Sequence, residues 1–260
     1  MLSFFRRLRM ALISNTKVST YLLYAMGEIA LVVIGILVAL QINNWNEARI
    51  SSAKEQRLLI DLKSELEFNL DYLQTRFEWV RDYSIANGIK LINSIGPRPK
   101  PMEYERFTEL LRAVTATPPM NIQTGVVENI MSAESFEVLQ NDSMKYLLTE
   151  YKLLQELLIS DAQGRADDVG NLRSYGTDHL LLRNSYRRIT WLDDVNQLTP
   201  SSFGVDLKVI LTDPRFENVL IRVLAGQNYV KRSTQALIDH ISRIIGFMDR
   251  NYDLKNSSED

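Results

Sequence analysis

The chain of 260 residues reads as an all-α protein: one N-terminal transmembrane helix followed by an elongated soluble helical bundle. Three observations predict this class. Tyr21 to Ile42 is an almost unbroken apolar run, and from Leu59 onward apolar residues recur at helical spacing. No hairpin signal or alternating strand pattern occurs anywhere in the sequence.

The run YLLYAMGEIALVVIGILVALQI, Tyr21 to Ile42, is interrupted by one acidic residue, Glu28. At 1.5 Å rise per residue it extends about 33 Å, enough to cross a hydrocarbon core of about 30 Å. Tyr21 and Tyr24 mark one membrane interface and Trp45 the other. A buried helix of a soluble protein is the rival reading, and the flanking aromatics and adjacent basic stretch argue against it. A cleaved signal peptide would share the basic start and the apolar stretch Ile29 to Leu40. However, Gln-Ile-Asn-Asn-Trp-Asn follows with no small-x-small cleavage signal, so an uncleaved anchor is expected. The expected organisation is a basic cytoplasmic or interfacial segment (1–19), a transmembrane helix (20–43), a helical domain (44–254) and a polar tail (255–260).

Arg6, Arg7, Arg9 and Lys17 precede the span, while Arg49, Lys54 and Arg57 follow it closely. This modest excess of positive charge places the N-terminus in the cytoplasm and the large domain across the membrane. Phe5, Leu8 and Leu12 would share one helical face flanked by Arg6 and Arg9, suiting a short helix in an anionic headgroup layer. A frayed basic tail is the alternative, with the same topology. The remainder of the chain is weakly acidic with interspersed signs, which gives no footprint for nucleic acid. There is no cysteine, which excludes disulfides, thiolate nucleophiles, Cys-ligated zinc and lipidation through cysteine.

Beyond the span, Leu59, Leu66, Leu73 and Val80 repeat every seven residues, with Leu62, Leu70 and Phe77 between them. A continuous helix is expected from the membrane to about Ile95, stopped by the proline-punctuated Gly96 to Pro101. A shorter helix, about Glu103 to Ala116, is closed by Pro118-Pro119. Thr124 and Ser132 then cap short helices. Asp142-Ser143 opens a long run through Met144, Leu147, Leu148, Tyr151, Leu154, Leu157 and Leu158, whose glycines 164, 170 and 176 are either breaks or close approaches. Residues 196 to 204 read as a loop. Asp213-Pro214 is an N-cap with proline at the first helical position, opening a helix through Phe216, Val219, Leu220 and Val223. A last helix spans 228 to 250, with Leu237, Ile241, Ile244 and Met248 on its apolar face.

The two histidines, His179 and His240, follow Gly176 and Leu237 by three residues, so the Glu-x-x-His pattern of bundle metal sites is missing. Each is expected to be a satisfied surface or core residue, and no cofactor is expected. No HExxH, P-loop, dinucleotide fingerprint or nucleophile elbow occurs. Asp167-Asp168 and Asp193-Asp194 are neighbours whose side chains diverge on a helix, which makes them solvated positions rather than a cation site.

Glu28 is the residue that breaks a local rule, because a carboxylate inside an apolar span is costly unless it is partnered or lies in the interface. Glu28, Leu31, Gly35, Val38 or Ala39, and Ile42 fall along one side of the helix. Gly27, Gly35 and Ala39 offer small surfaces for close packing, without a strict Gly-xxx-Gly motif. Two readings stand: this side packs against another span with Glu28 protonated or paired, or Glu28 snorkels, or sits in the interface because the hydrocarbon core begins at Ile29.

The run YLLYAMGEIALVVIGILVALQINNWNE, Tyr21 to Glu47, resembles the N-terminal signature of an uncharacterised single-pass membrane-protein family of Bacteroidota. The similarity is close over residues 4 to 47. It is looser in SAESFEVLQNDSMKYLLTEYKLL and LTDPRFENVLIRV, where Ala133-Glu134-Ser135 replaces the Ser-Gly turn that the likeness leads one to expect. The resemblance implies a bacterial inner-membrane protein and carries no activity with it. Three roles follow in order of expectation. The first is a non-enzymatic interaction or scaffold protein that contacts the lipid bilayer and self-associates or binds another membrane protein. The second is a ligand-sensing periplasmic domain signalling through a partner chain. The third is a hydrolase with an unconventional site.

Overall fold

A computed structural model describes residues 16–116, 120–186 and 193–254. The chain divides into two compact units, Met1–Arg57 and Leu58–Asp260. Helix α1, Thr16–Trp79, supplies residues to both. A π-helical segment, Val80–Ile85, follows it, then α2 (Ala86–Ile92), α3 (Tyr104–Thr115), α4 (Gly125–Ile130) and α5 (Ala133–Val138). The chain continues through α6 (Asp142–His179), α7 (Leu182–Tyr186), α8 (Asp193–Asn196), α9 (Leu207–Leu211) and α10 (Pro214–Asn251). There is no strand among the described residues, so the all-α class holds.

In the first unit, every side chain from Tyr24 to Ile50 is exposed. An 18-residue window there reaches a mean hydropathy of 2.3, long and apolar enough to cross a membrane, and none of it is buried.

The second unit is a bundle of three long helices. Its contacts pair α1 residue 69 with 151 of α6, 63 with 249 of α10, and 147 of α6 with 240 of α10. Further along, 84 meets 227 and 165 meets 226, so the C-terminal part of α1 runs parallel to α6, and α10 runs antiparallel to both. The heptad residues Leu59, Leu62, Leu66 and Leu73 are fully buried in one cluster with Leu148, Tyr151, Leu158, Leu237, Ile241 and Ile244, and Val80 is 2% exposed. A second core cluster gathers Leu91, Phe107, Val114, Leu172, Tyr175, Phe216 and Val223, joining α2, α3, α6 and α10. The ring of Phe216 lies 5.8 Å from that of Phe107 and 5.3 Å from that of Tyr175, within the range of favourable aromatic pairs.

The continuous helix expected to Ile95 ends at Ile92 and contains a π-helical turn. The cause is visible in the buried positions. The spacing of three between Leu59 and Leu62 becomes four between Val80 and Ser84, and the next buried residues are Gly88 and Leu91. One residue has been inserted into the repeat, and the wider turn absorbs it. Gly88 fits there because a Cβ would collide with the Leu224 side chain. Gly96 follows with φ 150°, and its N–H donates to Leu211 O at 2.9 Å.

Two further corrections concern glycines. Helix α6 runs unbroken through Gly164, Gly170 and Gly176, of which the first two have nothing near a prospective Cβ. The expected separate helices after Asp213 and from 228 are one helix, α10. Close approach of α10 to α6 is at Gly226, where a Cβ would stand 3.3 Å from the Cα of Arg165. Asp213 is the expected N-cap, accepting from Arg215 N at 2.8 Å, with Pro214 behind it. Helix α6 is capped one residue before the expected opening, by Asn141, which accepts from Ser143 N and Met144 N.

Candidate functional site

Three arrangements of side chains qualify as candidates: the exposed face of the anchor segment, a polar strip on α1, and an arginine-lined cavity in the bundle. On α1, Glu28, Gly35 and Ala39 fall on one side, while Gly27 lies about 100° further round the helix. All four are exposed, and nothing lies within 4 Å of a prospective Cβ at Gly27 or Gly35. Tyr21, Tyr24 and Trp45 are exposed at 81%, 77% and 68%, at opposite ends of the apolar run. Polar pairing begins just past Ile42, where Asn43 Nδ2 donates to Glu47 Oε1 at 2.7 Å. Arg6, Arg7 and Arg9 lie outside the described residues, as do Pro118-Pro119 and the tail 255–260.

The second arrangement is a strip of polar residues on α1 at helical spacing, Glu65, Asn69 and Tyr72. Glu65, 5% exposed, accepts from Val126 N at 2.7 Å and from Val127 N at 3.2 Å. It therefore caps α4 in place of Thr124, whose own side chain makes no capping bond. Asn69, fully buried, exchanges two 2.8 Å bonds with the Gln123 backbone and donates to Tyr151 Oη at 3.2 Å. Tyr72 Oη accepts from Asn121 N at 3.1 Å. Burial pushes the Tyr151 hydroxyl up to about 12. These bonds hold the segment before α4 against α1, which is a structural role.

The third arrangement lies in the second unit, where the π-helical segment begins. A cavity of about 220 Å³ is lined by Arg76 and Trp79 of α1, Val80, Arg165 of α6, and Gln227 and Val230 of α10 among others, none of them acidic. Arg165 is 3% exposed. Its Nη2 donates to Val114 O at 2.9 Å and Ala116 O at 2.8 Å, the carbonyls that close α3. Its Nε has no hydrogen-bond partner among the described residues. Burial, then the nearby guanidiniums of Arg76 and Arg173, pull Arg165 down to about 10. Gln227, 2% exposed and also part of the lining, accepts from Ser84 Oγ at 3.4 Å.

Arg165 was not among the expected site residues, although a signal for it exists. Tyr151, Leu158, Arg165 and Leu172 are spaced seven apart on α6, so a cation stands on the buried stripe. Gln155 breaks the parallel series Leu148, Gln155, Ala162, Val169 in the same way, and neither of its side-chain polar atoms has a partner among the described residues.

The remaining candidates resolve into structure. His240, 4% exposed, meets Leu147 O through Nε2 at 2.8 Å and Arg243 through Nδ1 at 2.7 Å. A carbonyl only accepts and a guanidinium only donates, so the proton sits on Nε2. Arg243 also pairs with Glu150. His179 stacks on Tyr175 with centroids 4.1 Å apart and bonds to Tyr175 O. The Tyr175 hydroxyl donates to Asp213 at 2.8 Å, and this bond, with the Arg215 N–H, holds the Asp213 carboxyl below its usual range. The Asp167-Asp168 neighbours diverge, Asp168 to Arg222 at 2.8 Å and Asp167 to Gln163 at 3.1 Å. Asp194 is exposed, and the Asp193 side chain lies outside the described ones. No group of residues suited to hold a metal occurs among the described residues.

Fold and site together define an all-α protein with one helix apolar enough to cross a membrane and a helical bundle carrying a cationic cavity. Residues 28–90 are similar to a family described as a family of unknown function (DUF6090). That stretch begins at Glu28 and ends within α2, so it holds the greater part of the apolar run together with the heptad leucines and the π-helical segment. No curated protein and no solved structure matches the chain.

Proposed function

We propose that this is a membrane-anchored helical interaction protein of a bacterial inner membrane, with its N-terminus in the cytoplasm and its bundle in the periplasm. The observation that carries the reading is the wholly exposed apolar run from Tyr24 to Ile42. An apolar surface this long, wholly exposed and bounded by Tyr21, Tyr24 and Trp45, suits lipid or another span rather than water. The side bearing Glu28, Gly35 and Ala39 is the surface for self-association or for a membrane partner. The resemblance of residues 4 to 47 to a single-pass membrane family of Bacteroidota supports the compartment, and the excess of Lys and Arg before the span supports the orientation.

The test uses the absence of native cysteine, which makes an introduced one unique. Gly35→Cys and Ala39→Cys in native membranes are expected to give a crosslinked adduct, either a dimer or a stoichiometric partner seen on co-purification. No adduct at either position, together with a lone monomer on purification, contradicts the interaction reading.

One observation favours a second reading, a ligand-sensing domain that signals through a partner membrane protein: the arginine-lined cavity of the bundle. The span then acts as the route to a separate output chain.

A further inference from the structure

The cavity beside the π-helical segment combines features that point to one class of ligand. Its cationic wall is Arg165, nine-tenths and more buried, with Arg76 close enough to depress its basicity. Its apolar walls include Trp79, Val80, Met120 and Val230. No lining residue is acidic, and among the described residues Arg165 has no carboxylate partner. Capping of α3 accounts for Nη2 of Arg165 and leaves Nε without an acceptor. A buried guanidinium that meets only carbonyl dipoles is costly, and an anion arriving beside it recovers that cost. The inserted residue of the π-helical segment sits at the same place, as such insertions often do at binding sites. At about 220 Å³ the space is below the roughly 300–1,000 Å³ of sites for drug-sized molecules.

We propose that this cavity binds a small amphiphilic anion, its carboxylate or phosphate against Arg165 and Arg76 and its apolar body against Trp79, Met120 and Val230. The proposal deepens the ligand-sensing reading by naming the ligand class. Binding is measured on this chain alone, so a failed partner response counts against sensing and not against the site.

The experiment titrates the full chain in neutral maltoside micelles with benzoate, phenyl phosphate, inorganic phosphate and the uncharged isostere benzamide. Calorimetry and the fluorescence of Trp79, which forms part of the wall, report binding. Trp79→Phe identifies the share of the signal due to that residue. Benzoate or phenyl phosphate is expected to bind saturably and at least roughly tenfold tighter than benzamide. Benzoate binding alone assigns a carboxylate ligand, and phenyl phosphate binding alone assigns an organic phosphate. Arg165→Gln is expected to weaken binding roughly tenfold or more. Because that variant also loses the α3 cap, Gln163→Glu serves as the second test. It sets a carboxylate on an exposed rim position and is expected to weaken anions while leaving benzamide unchanged. Equal binding of benzamide and benzoate overturns the proposal. So does no binding of any anion up to about 10 mM, inorganic phosphate matching phenyl phosphate, or full affinity in Gln163→Glu.

Discussion

Residues 24 to 50 and residues 58 to 79 belong to one helix and meet opposite environments. In the first stretch every side chain is exposed although the sequence is strongly apolar as far as Ile42; in the second, Leu59, Leu62, Leu66 and Leu73 have no exposed surface at all. The backbone is the same, so the difference lies in how apolar residues are distributed. As far as Ile42 the first stretch is apolar on nearly every side, with Glu28 its one charge, which leaves little face for water and makes the membrane its proposed solvent. The second confines its leucines to one stripe, which α6 and α10 cover, and turns Glu67, Phe68 and Asp71 outward. Total hydropathy selects the solvent and periodicity selects the protein neighbour.

The sharpest way to break this comparison is to truncate one leucine from each half. Leu66→Ala is expected to cost about 2–5 kcal/mol in the chemical or thermal unfolding of the bundle. Leu37→Ala is expected to leave that transition where it is. Equal losses would mean that the exposed half is packed within the chain.

A smaller effect tests the polar strip on the buried half. Glu65→Ala removes the acceptor for Val126 N and Val127 N and is expected to cost about 1–3 kcal/mol. Amide exchange at Val126 and Val127 should quicken by more than at Leu237. Protection that stays unchanged would show that α4 does not depend on Glu65.

The same strip gives a pH signature. The folded Tyr151 hydroxyl is raised from 10.0 to about 12 by burial, so its contribution is complete below about pH 10 and is lost as pH rises towards 12. Urea midpoints are expected to fall across that window, and the fall should be shallower in Tyr151→Phe. Identical slopes in both proteins would remove Tyr151 as the cause.

The smallest effect has the opposite sign. Gln155 is 1% exposed and its side-chain polar atoms have no partner among the described residues. Gln155→Met is therefore expected to stabilise the bundle by about 1 kcal/mol. A loss of stability would show that water or another group satisfies that amide.

How much of this was legible in the sequence follows the same division. The heptad leucines, the apolar face of the last helix and the Asp213-Pro214 start could be read because each repeats or caps within a few residues. The π-helical turn could not, because it is set by contacts of Ser84 and Gly88 with Gln227 and Leu224, more than a hundred residues away. The sequence points to Thr124 as the cap of α4, whereas Glu65 supplies it by reaching across from another helix. Glycines 164 and 170 read as breaks or contacts and are neither, since propensity is weak against the packing of a 38-residue helix. In the candidate cavity, Arg165 left a trace as a cation on a seven-residue stripe, whereas the arrival of Arg76, Trp79 and Gln227 beside it required the three-dimensional bundle.

The run Tyr21 to Ile42 is proposed to span the membrane. Flotation of the full chain with membranes on a density gradient, after washes in high salt and in urea, tests it most directly. The wild-type chain is expected to float with the lipid. The double variant Val33→Arg/Ile36→Arg, which carries about 2.5–3.5 kcal/mol of insertion cost per charge at the middle of the run, is expected to remain in the soluble fraction with its bundle folded. A wild-type chain released by the washes, or a double variant that floats equally well, would contradict the account.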